Sequence, residues 1–441
     1  MSDHTTTQTY RSYLLFWIAQ ILSILGSTIV QFVVIWWIVV KFVNPLYLSI
    51  AYLLGIGIQV IFMPIAGVFI DRWNRKIVLG VSDGLQALGA IFLILIFTFQ
   101  DQFALNAVFW AVIALIGFRG IISSFHDTAA RAIVPLMVPR KHLSRINGLQ
   151  FIFLGVVNII GPALGALLYY VFPLTESGII VWIDVVTFII AVIPLFIITI
   201  PDVKIYFTMD GGAIQSKSFL RDFLDGIHII RSKKGLLPLI YVFTLINFLE
   251  IPIIVLGPIF VYSTHLGEAI DLALVLAASQ IGMLLSGIWI LVKRDWRRKA
   301  FVIIIALYVQ IFGYFLQVIT PYGLFWFMSI GAFIFGATLP ISNAMFRTIF
   351  QVIVPPELQG RVTSITAAMS GSIMPIAMLI SGPLADMLGY IELFLLSIVL
   401  AVIVITVMWL FTDLPALDKL REMTIQKDTV SMQKVPGVGQ R

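Results

Sequence analysis

A chain of 441 residues that is 60% hydrophobic, only 11% charged and of mean hydropathy +1.05 cannot hide its apolar surface in a soluble core. The composition is that of a polytopic membrane protein, and the lack of cysteine excludes disulfides, thiolate metal sites and cysteine nucleophiles. The net charge of +6 is no sign of nucleic-acid binding, because the cations cluster at one set of span ends.

Backbone groups in lipid need internal hydrogen bonds, so the apolar runs are helices or strands of a closed barrel, and the short alternating runs of a barrel are absent. Cut at charge clusters and at Pro, Gly and Asn turns, the first half predicts helices over 12–40, 46–70, 77–99, 105–127, 146–170 and 179–200. The first follows a polar start with no small-residue cleavage site behind it, and reads as a retained span. A polar stretch over 201–234 leads to helices predicted over 236–262, 270–292, 300–319, 322–345, 362–386 and 392–412. Its later part, S-F-L-R-D-F-L-D-G-I-H-I-I-R-S-K-K, spaces apolar residues near helical intervals and reads as an amphipathic helix on the membrane face, a tether between two bundles with a regulatory or partner-binding helix as the alternative. The expected organisation is a six-helix bundle over 1–200, a linker over 201–234, a second bundle over 235–413 and a disordered tail over 414–441.

With alternate connections assigned to one side, 26 of the 28 Lys and Arg residues fall there, leaving Lys41 opposite and Arg119 inside a span. The positive-inside rule makes that side cytoplasmic, so a multi-pass cell-membrane protein with both termini in the cytoplasm is expected.

The halves repeat. R-A-I-V-P-L-M-V-P-R-K-H-L-S-R from Arg131 matches R-T-I-F-Q-V-I-V-P-P-E-L-Q-G-R from Arg347, Gly161-Pro162 matches Gly382-Pro383, and G-V-F-I-D-R-W-N-R-K from Gly67 has a degraded partner ending at Lys299. Two parallel six-helix repeats joined by a linker belong to transporters that rock about a central cleft. The chain resembles the major facilitator superfamily over nearly its whole length. The stretch at Gly67 is similar to that superfamily's loop signature between helices 2 and 3, G-x-x-x-D-R-x-G-R-K, with Asn74 in place of the second glycine. Asn tolerates left-handed backbone geometry, which makes the replacement mild. The fold expected is an all-α membrane protein of twelve transmembrane helices in two pseudo-symmetric six-helix bundles.

Asp71 ends the second helix, where a carboxylate opposes the helix dipole and calls for a positive partner. A latch is expected in which Asp71 meets the start of helix 11 beside Arg361 while Arg75 joins Asp127; the resemblance implies the same, since family members use this loop to hold the halves together. Arg72 and Lys76 read as topogenic charges.

A charge deep in a span costs about 2.5–3.5 kcal/mol even on the permissive insertion scale, so each needs a reason. Arg119 lies roughly 12 Å from the Asp127 end of its helix and Asp83 about 9 Å from Ile77, depths that favour an Asp83–Arg119 pair, either a structural ion pair or a part of proton coupling. Family exporters carry R-x-x-Q-G-x-G here, with an arginine linked to proton coupling; this chain keeps the arginine and departs from the rest at Gly120 to Ser123. Glu250, in N-F-L-E-I-P, has no evident cationic partner and is the first candidate for the proton-coupling carboxylate, with a hydrogen-bonded acid beside Asn247 as the alternative. Asp184 reads as peripheral. Gln20, Ser23, Ser27 and Gln31 fall within roughly an 80° arc of the first helix and favour water access. Gln20, Ser27, Gln31, Asn158, Asn247 and Asn343 are the candidates for a substrate cavity.

G-P-A-L-G-A at Gly161 is similar to the exporter signature G-P-x-x-G-G of the superfamily, and implies efflux. D-R-W-N-R-K, Asp83, V-W-I-D at Asp184 and G-R-V-T-S at Gly360 point to the macrolide-efflux-like, drug:proton antiporter branch. The expected function is proton-driven export of a small hydrophobic or amphipathic compound; siderophore or lipid-like cargo, proton-coupled import and a non-transporting receptor stay open. The cleft lacks free cations for a strongly anionic cargo. The five histidines lie outside or at the edges of the predicted spans, and neither H-E-x-x-H nor a P-loop occurs, so neither an enzyme nor a nucleotide drive is expected. The expected partners are a small-molecule substrate, protons and the lipid bilayer, with no cofactor and a monomeric state.

Overall fold

The structure, a computed structural model, describes residues 2–172, 178–198, 200, 230–293, 296–354 and 356–418, without the side chains of 2–9, 356, 357, 360, 361, 363, 364, 367 and 368. The expected amphipathic helix lies outside the described residues except from 230 onward, as does the tail from 419. Among the described residues there is no strand, and twelve helices are long and apolar enough to cross a membrane. They are α1 (Ser2–Phe42), α2 (Pro45–Ile70), α3 (Arg75–Thr98), α4 (Leu105–Met137), α5 (Arg140–Val171) and α6 (Ile179–Ile197), then α7 (Leu236–Thr264), α8 (Ala269–Val292), α9 (Lys299–Val318), α10 (Phe325–Ile353), α11 (Pro356–Leu388) and α12 (Tyr390–Phe411).

Several helices outrun the apolar windows that announce them. Hydropathy marks where lipid begins, whereas the backbone stays helical as long as one face has something to cover. α4 passes Asp127 and buries Ala129, Ile133 and Met137 against Tyr13 and Phe16 of α1, Ile70 of α2 and Leu79 of α3. Asn74 replaces the motif glycine differently from the expectation: its φ of −68° is not left-handed. Its side-chain oxygen instead accepts from the backbone N–H of Lys76 at 2.9 Å and of Ile77 at 3.3 Å, capping α3.

Packing follows the duplication. α1 packs on α5 and α6, α2 on α4, and α3 on α4 and α6; six helices later α7 packs on α11 and α12, α8 on α10, and α9 on α10 and α12. The bundles meet along α5 with α8 and along α2 with α11, a reciprocal pair under the same shift of six.

The meeting surfaces are shaped by missing side chains. A Cβ at Gly155 would lie 2.7 Å from Cγ of Leu284, and one at Gly287 would lie 2.6 Å from the Phe151 ring. Between α2 and α11 the contact begins at the end opposite the termini, where Gly382 admits Leu46 and Ser49, and continues where Gly57 faces Pro375 and Met378 and Val60 faces Gly371. Trp36 of α1 meets the Tyr262 ring of α7 edge-on at 5.7 Å on the same far side. From Ile61 onward α2 carries exposed apolar side chains, Ile61, Ile65, Val68 and Phe69, and Asp71 is exposed. The bundles are therefore in contact on the far side and splayed at the α2 tip on the terminus side. Among the described residues, no hydrogen bond or ion pair joins one bundle to the other.

α2 is not the uninterrupted α-helix expected: Leu53–Gly57 forms a π turn. The wider turn pushes its carbonyls toward α4, and Gly120 accepts them, since a Cβ there would be 2.6 Å from the Gly55 oxygen and 2.9 Å from that of Leu54. The glycine after Arg119 thus has a packing role that the altered helix 4 motif did not suggest.

Candidate functional site

The polar side chains of the first bundle converge on α4, whose Arg119, Ser123, His126 and Asp127 recur at i, i+4, i+7 and i+8 and so share one face. Two networks lie in sequence along that face. In the one nearer the far side, Arg119 Nη2 donates to Asp184 of α6 at 2.5 Å, and Ser27 of α1 donates to the other Asp184 oxygen at 2.8 Å. Arg119 Nε donates to Gln86 of α3 at 2.9 Å, and Gln86 donates in turn to Ser123 at 2.7 Å. Asp184 is fully buried with both oxygens partnered and Arg119 is held through Nη2 and Nε, the kind of satisfied geometry in which a buried ion pair is tolerated.

The second network centres on a ring. His126 Nε2 lies 3.3 Å from Asp83 Oδ1 and His126 Nδ1 lies 3.3 Å from Asp127 Oδ1. The remaining carboxylate oxygens are held by amides: Gln20 donates to Asp83 at 3.0 Å and Gln59 donates to Asp127 at 2.9 Å. The Nε2–Asp83 approach is at ion-pair distance but out of line for a hydrogen bond, and Nε2 has no other partner.

These arrangements revise the expected pairings. Asp83 does not pair with Arg119; Asp184, read as peripheral, does. Counting residues gives depth from each helix's own end and says nothing of rotation about its axis, and it is Gln86 on α3 that turns toward Arg119. Asp127 pairs with Gln59 and His126, and no ion pair to Arg75 forms. Arg75 Nε is buried without a partner, so the Arg75–Asp127 half of the expected latch is not made among the described residues; the other half, Asp71 with Arg361, involves a side chain outside them. The histidine expectation changes as well, because α4 continues to Met137 and carries His126 into the bundle.

Glu250 is buried in α7 facing Gln310 and Tyr314 of α9, with Oε1 unpartnered. Its expected neighbour Asn247 instead donates to the Phe243 carbonyl at 2.7 Å.

A cavity of about 420 Å³ in the first bundle is lined by Gln20, Ser27, Gln31, Asp83, His126 and Asp127 together with Tyr13, Arg131 and Gln150. A smaller space of about 160 Å³, sharing Ser27, Gln31, Gln59, Gln86 and Ser123 with it and adding Arg119, adjoins it. The second bundle has a cavity of about 530 Å³ lined by Asn247, Asn343, Arg347, Gln351 and Gln359. Asn158 and Glu250 line none of these three. The two sides differ in charge: each has one arginine, Arg131 or Arg347, but only the first cavity sets carboxylates, Asp83 and Asp127, against it.

His126, Gln59 and Gln86 escaped the sequence reading. For His126 the signal was present, since R-G-I-I-S-S-F-H-D repeats polar groups at helical intervals from Arg119, but the predicted span ended at 127 and made the ring look terminal. Gln86 sits three residues after Asp83; Gln59 carries no local signal beyond being polar in an apolar run.

The chain is 28% identical over 405 residues to macrolide efflux protein A of Streptococcus pyogenes, covering 91% of this chain and 96% of that protein. It is 24% identical over 410 residues to the multidrug efflux pump Tap of Mycolicibacterium fortuitum, covering 91% and 93%. Among solved structures, a bacterial homologue of the iron transporter ferroportin in an inward-facing state superposes with a TM-score of 0.67 at 16% identity, covering 90% of this chain and 98% of that one. The nucleoside transporter NupG superposes with a TM-score of 0.64 at 15% identity, covering 91% and 100%. With the Major Facilitator Superfamily model matching residues 16–377, and twelve helices arranged as two six-helix repeats, this chain belongs to the major facilitator superfamily of transporters.

Proposed function

We propose that this protein exports a small hydrophobic or amphipathic compound, of the drug or macrolide kind, from the cytoplasm in exchange for protons by alternating access. The observation that carries the reading is the cavity of the first bundle, apolar in most of its wall yet lined by two carboxylates, Asp83 and Asp127, against one arginine, Arg131, while the neighbouring Arg119 is already taken by Asp184. Such a wall suits an apolar or positively charged compound better than an anionic one. Similarity to macrolide efflux protein A and to Tap along nearly the whole chain supports efflux.

The concentration of Lys and Arg on the terminus side puts that side in the cytoplasm. The bundles, touching on the far side and apart at the α2 tip, then correspond to an inward-open state. Residues 1–200 and 235–413 are the units that rock, joined by 201–234. In the alternate state Asp71 meets the start of α11 by Arg361, and Arg75 reaches Asp127 once Gln59 gives it up. Asp83, in the wall of this cavity while Arg119 is engaged by Asp184, is the coupling carboxylate; Glu250 is a second candidate in the other bundle.

The test is purified protein in vesicles with an imposed pH gradient and labelled erythromycin and ethidium. One pH unit corresponds to about 1.4 kcal/mol, so one-for-one exchange sustains a concentration ratio of up to about tenfold. Accumulation that collapses with the gradient supports antiport; exchange indifferent to the gradient removes the proton from the proposal.

A further inference from the structure

We propose that Asp127, His126 and Asp83 form a proton relay through the first bundle, in which Asp127 exchanges the proton with cavity water, the imidazole of His126 passes it on and Asp83 holds it. This inference rests on the proton-antiport reading above and assigns its route.

The ring stands edge-on between two carboxylates, with one oxygen of each at 3.3 Å from one ring nitrogen. The second oxygen of each carboxylate is anchored by an amide, Gln59 for Asp127 and Gln20 for Asp83, so the oxygen left for proton exchange is the one turned to the ring. Exposure falls along the same line, from 40% for the Asp127 side chain through 14% for His126 to 1% for Asp83. A clamp that merely held α3 to α4 would need only one end of the ring; here both ends face acids of unequal access to water.

The step balances on the ring alone. As a proton from Asp127 bonds to Nδ1, the Nε2–H bond breaks and its proton passes to Asp83 Oδ1, leaving the other imidazole tautomer and no change in electrons. Return transfer restores the first tautomer. The misaligned Nε2–Asp83 approach is the point where a small ring rotation opens or interrupts the path. The titratable and charged groups around the ring are Tyr13 on α1, Asp83 on α3 and Asp127 and Arg131 on α4 itself; α2 and α5 add no titratable group to the cavity, their polar contributions being the amides Gln59 and Gln150. Arg119 is engaged by Asp184 and Gln86 in the adjoining network.

The experiment compares the full chain with Asp127→Asn and His126→Gln, in vesicles loaded with ethidium. Two quantities are read: accumulation under one pH unit, and counterflow at equal pH. The expected result is that both variants drop from about tenfold accumulation to within twofold of unity. Wild-type-like accumulation in the variants overturns the relay and leaves antiport standing. Wild-type counterflow without gradient-driven accumulation overturns antiport, and the relay with it. A readout that needs no transported compound is the infrared carboxyl band of purified protein: a band absent from Asp83→Asn is expected to shift its midpoint by at least one pH unit in Asp127→Asn. That variant replaces a partly exposed side chain and so keeps the test open if His126→Gln folds poorly; an unmoved midpoint overturns the relay.

Discussion

Replacing Asp184 by Leu tests whether the Arg119 network holds the first bundle together. The substitution removes the 2.5 Å ion pair and the Ser27 acceptor at once, and leaves a guanidinium supported only by Gln86 in a site where Asp184 is wholly buried. Breaking a buried pair by deleting one member costs about 3–5 kcal/mol, because the survivor is left uncompensated. For a bundle of this size each kcal/mol moves the midpoint by about 2–4 °C, so an apparent melting temperature lower by roughly 6–20 °C is expected. Scanning fluorimetry on detergent-solubilised protein reads this directly. The partner experiment is the double variant Arg119→Met with Asp184→Leu, which removes both charges and is expected to recover most of the loss, since replacing a buried pair by apolar groups is often neutral. A melting temperature within 2 °C of wild type for Asp184→Leu, or a double variant no better than the single one, would refute the reasoning.

Asp71→Asn is expected to insert normally, by surface labelling, yet to lose most gradient-driven transport, because the proposed closed state on the terminus side loses its acidic contact; intact transport would sink the latch. Glu250→Gln is expected to keep accumulation within about threefold of wild type, since Glu250 lies apart from the three cavities described; a loss to near unity would return coupling to α7. Gly120→Val drives a branched side chain into the carbonyls of the α2 π turn, and the expected outcome is a sharply reduced yield of folded, monodisperse protein on size-exclusion chromatography. Gly382→Leu wedges α11 from α2 beside Leu46, which should raise the labelling of a cysteine introduced at Ser49 by a membrane-impermeant thiol reagent added from the far side.

Twelve spans and the duplication were legible because each depends on a one-dimensional quantity: apolar length or residue identity at a fixed offset. Pair identities were not. Asp83 and Arg119 have suitable depths, but a contact also requires the right rotation of two helices, and the rotation of α3 gives Arg119 to Gln86 while α6 supplies Asp184. The α2 π turn was equally hidden, since L-L-G-I-G reads as ordinary helix until the glycine of a neighbouring helix is known to face it. Asn74 shows a third limit: a motif position can be filled through a different conformation, here an N-cap instead of a left-handed turn.

The seam between the bundles has a mechanical consequence. With neither hydrogen bonds nor ion pairs crossing it among the described residues, and with single side chains seated in glycine notches, nothing directional has to be severed when one half shifts on the other. Dispersion contacts have no preferred direction, so such a seam is closer to a lubricated bearing than to a lock. Bulk added at a notch would set the friction of that bearing while leaving both bundles intact.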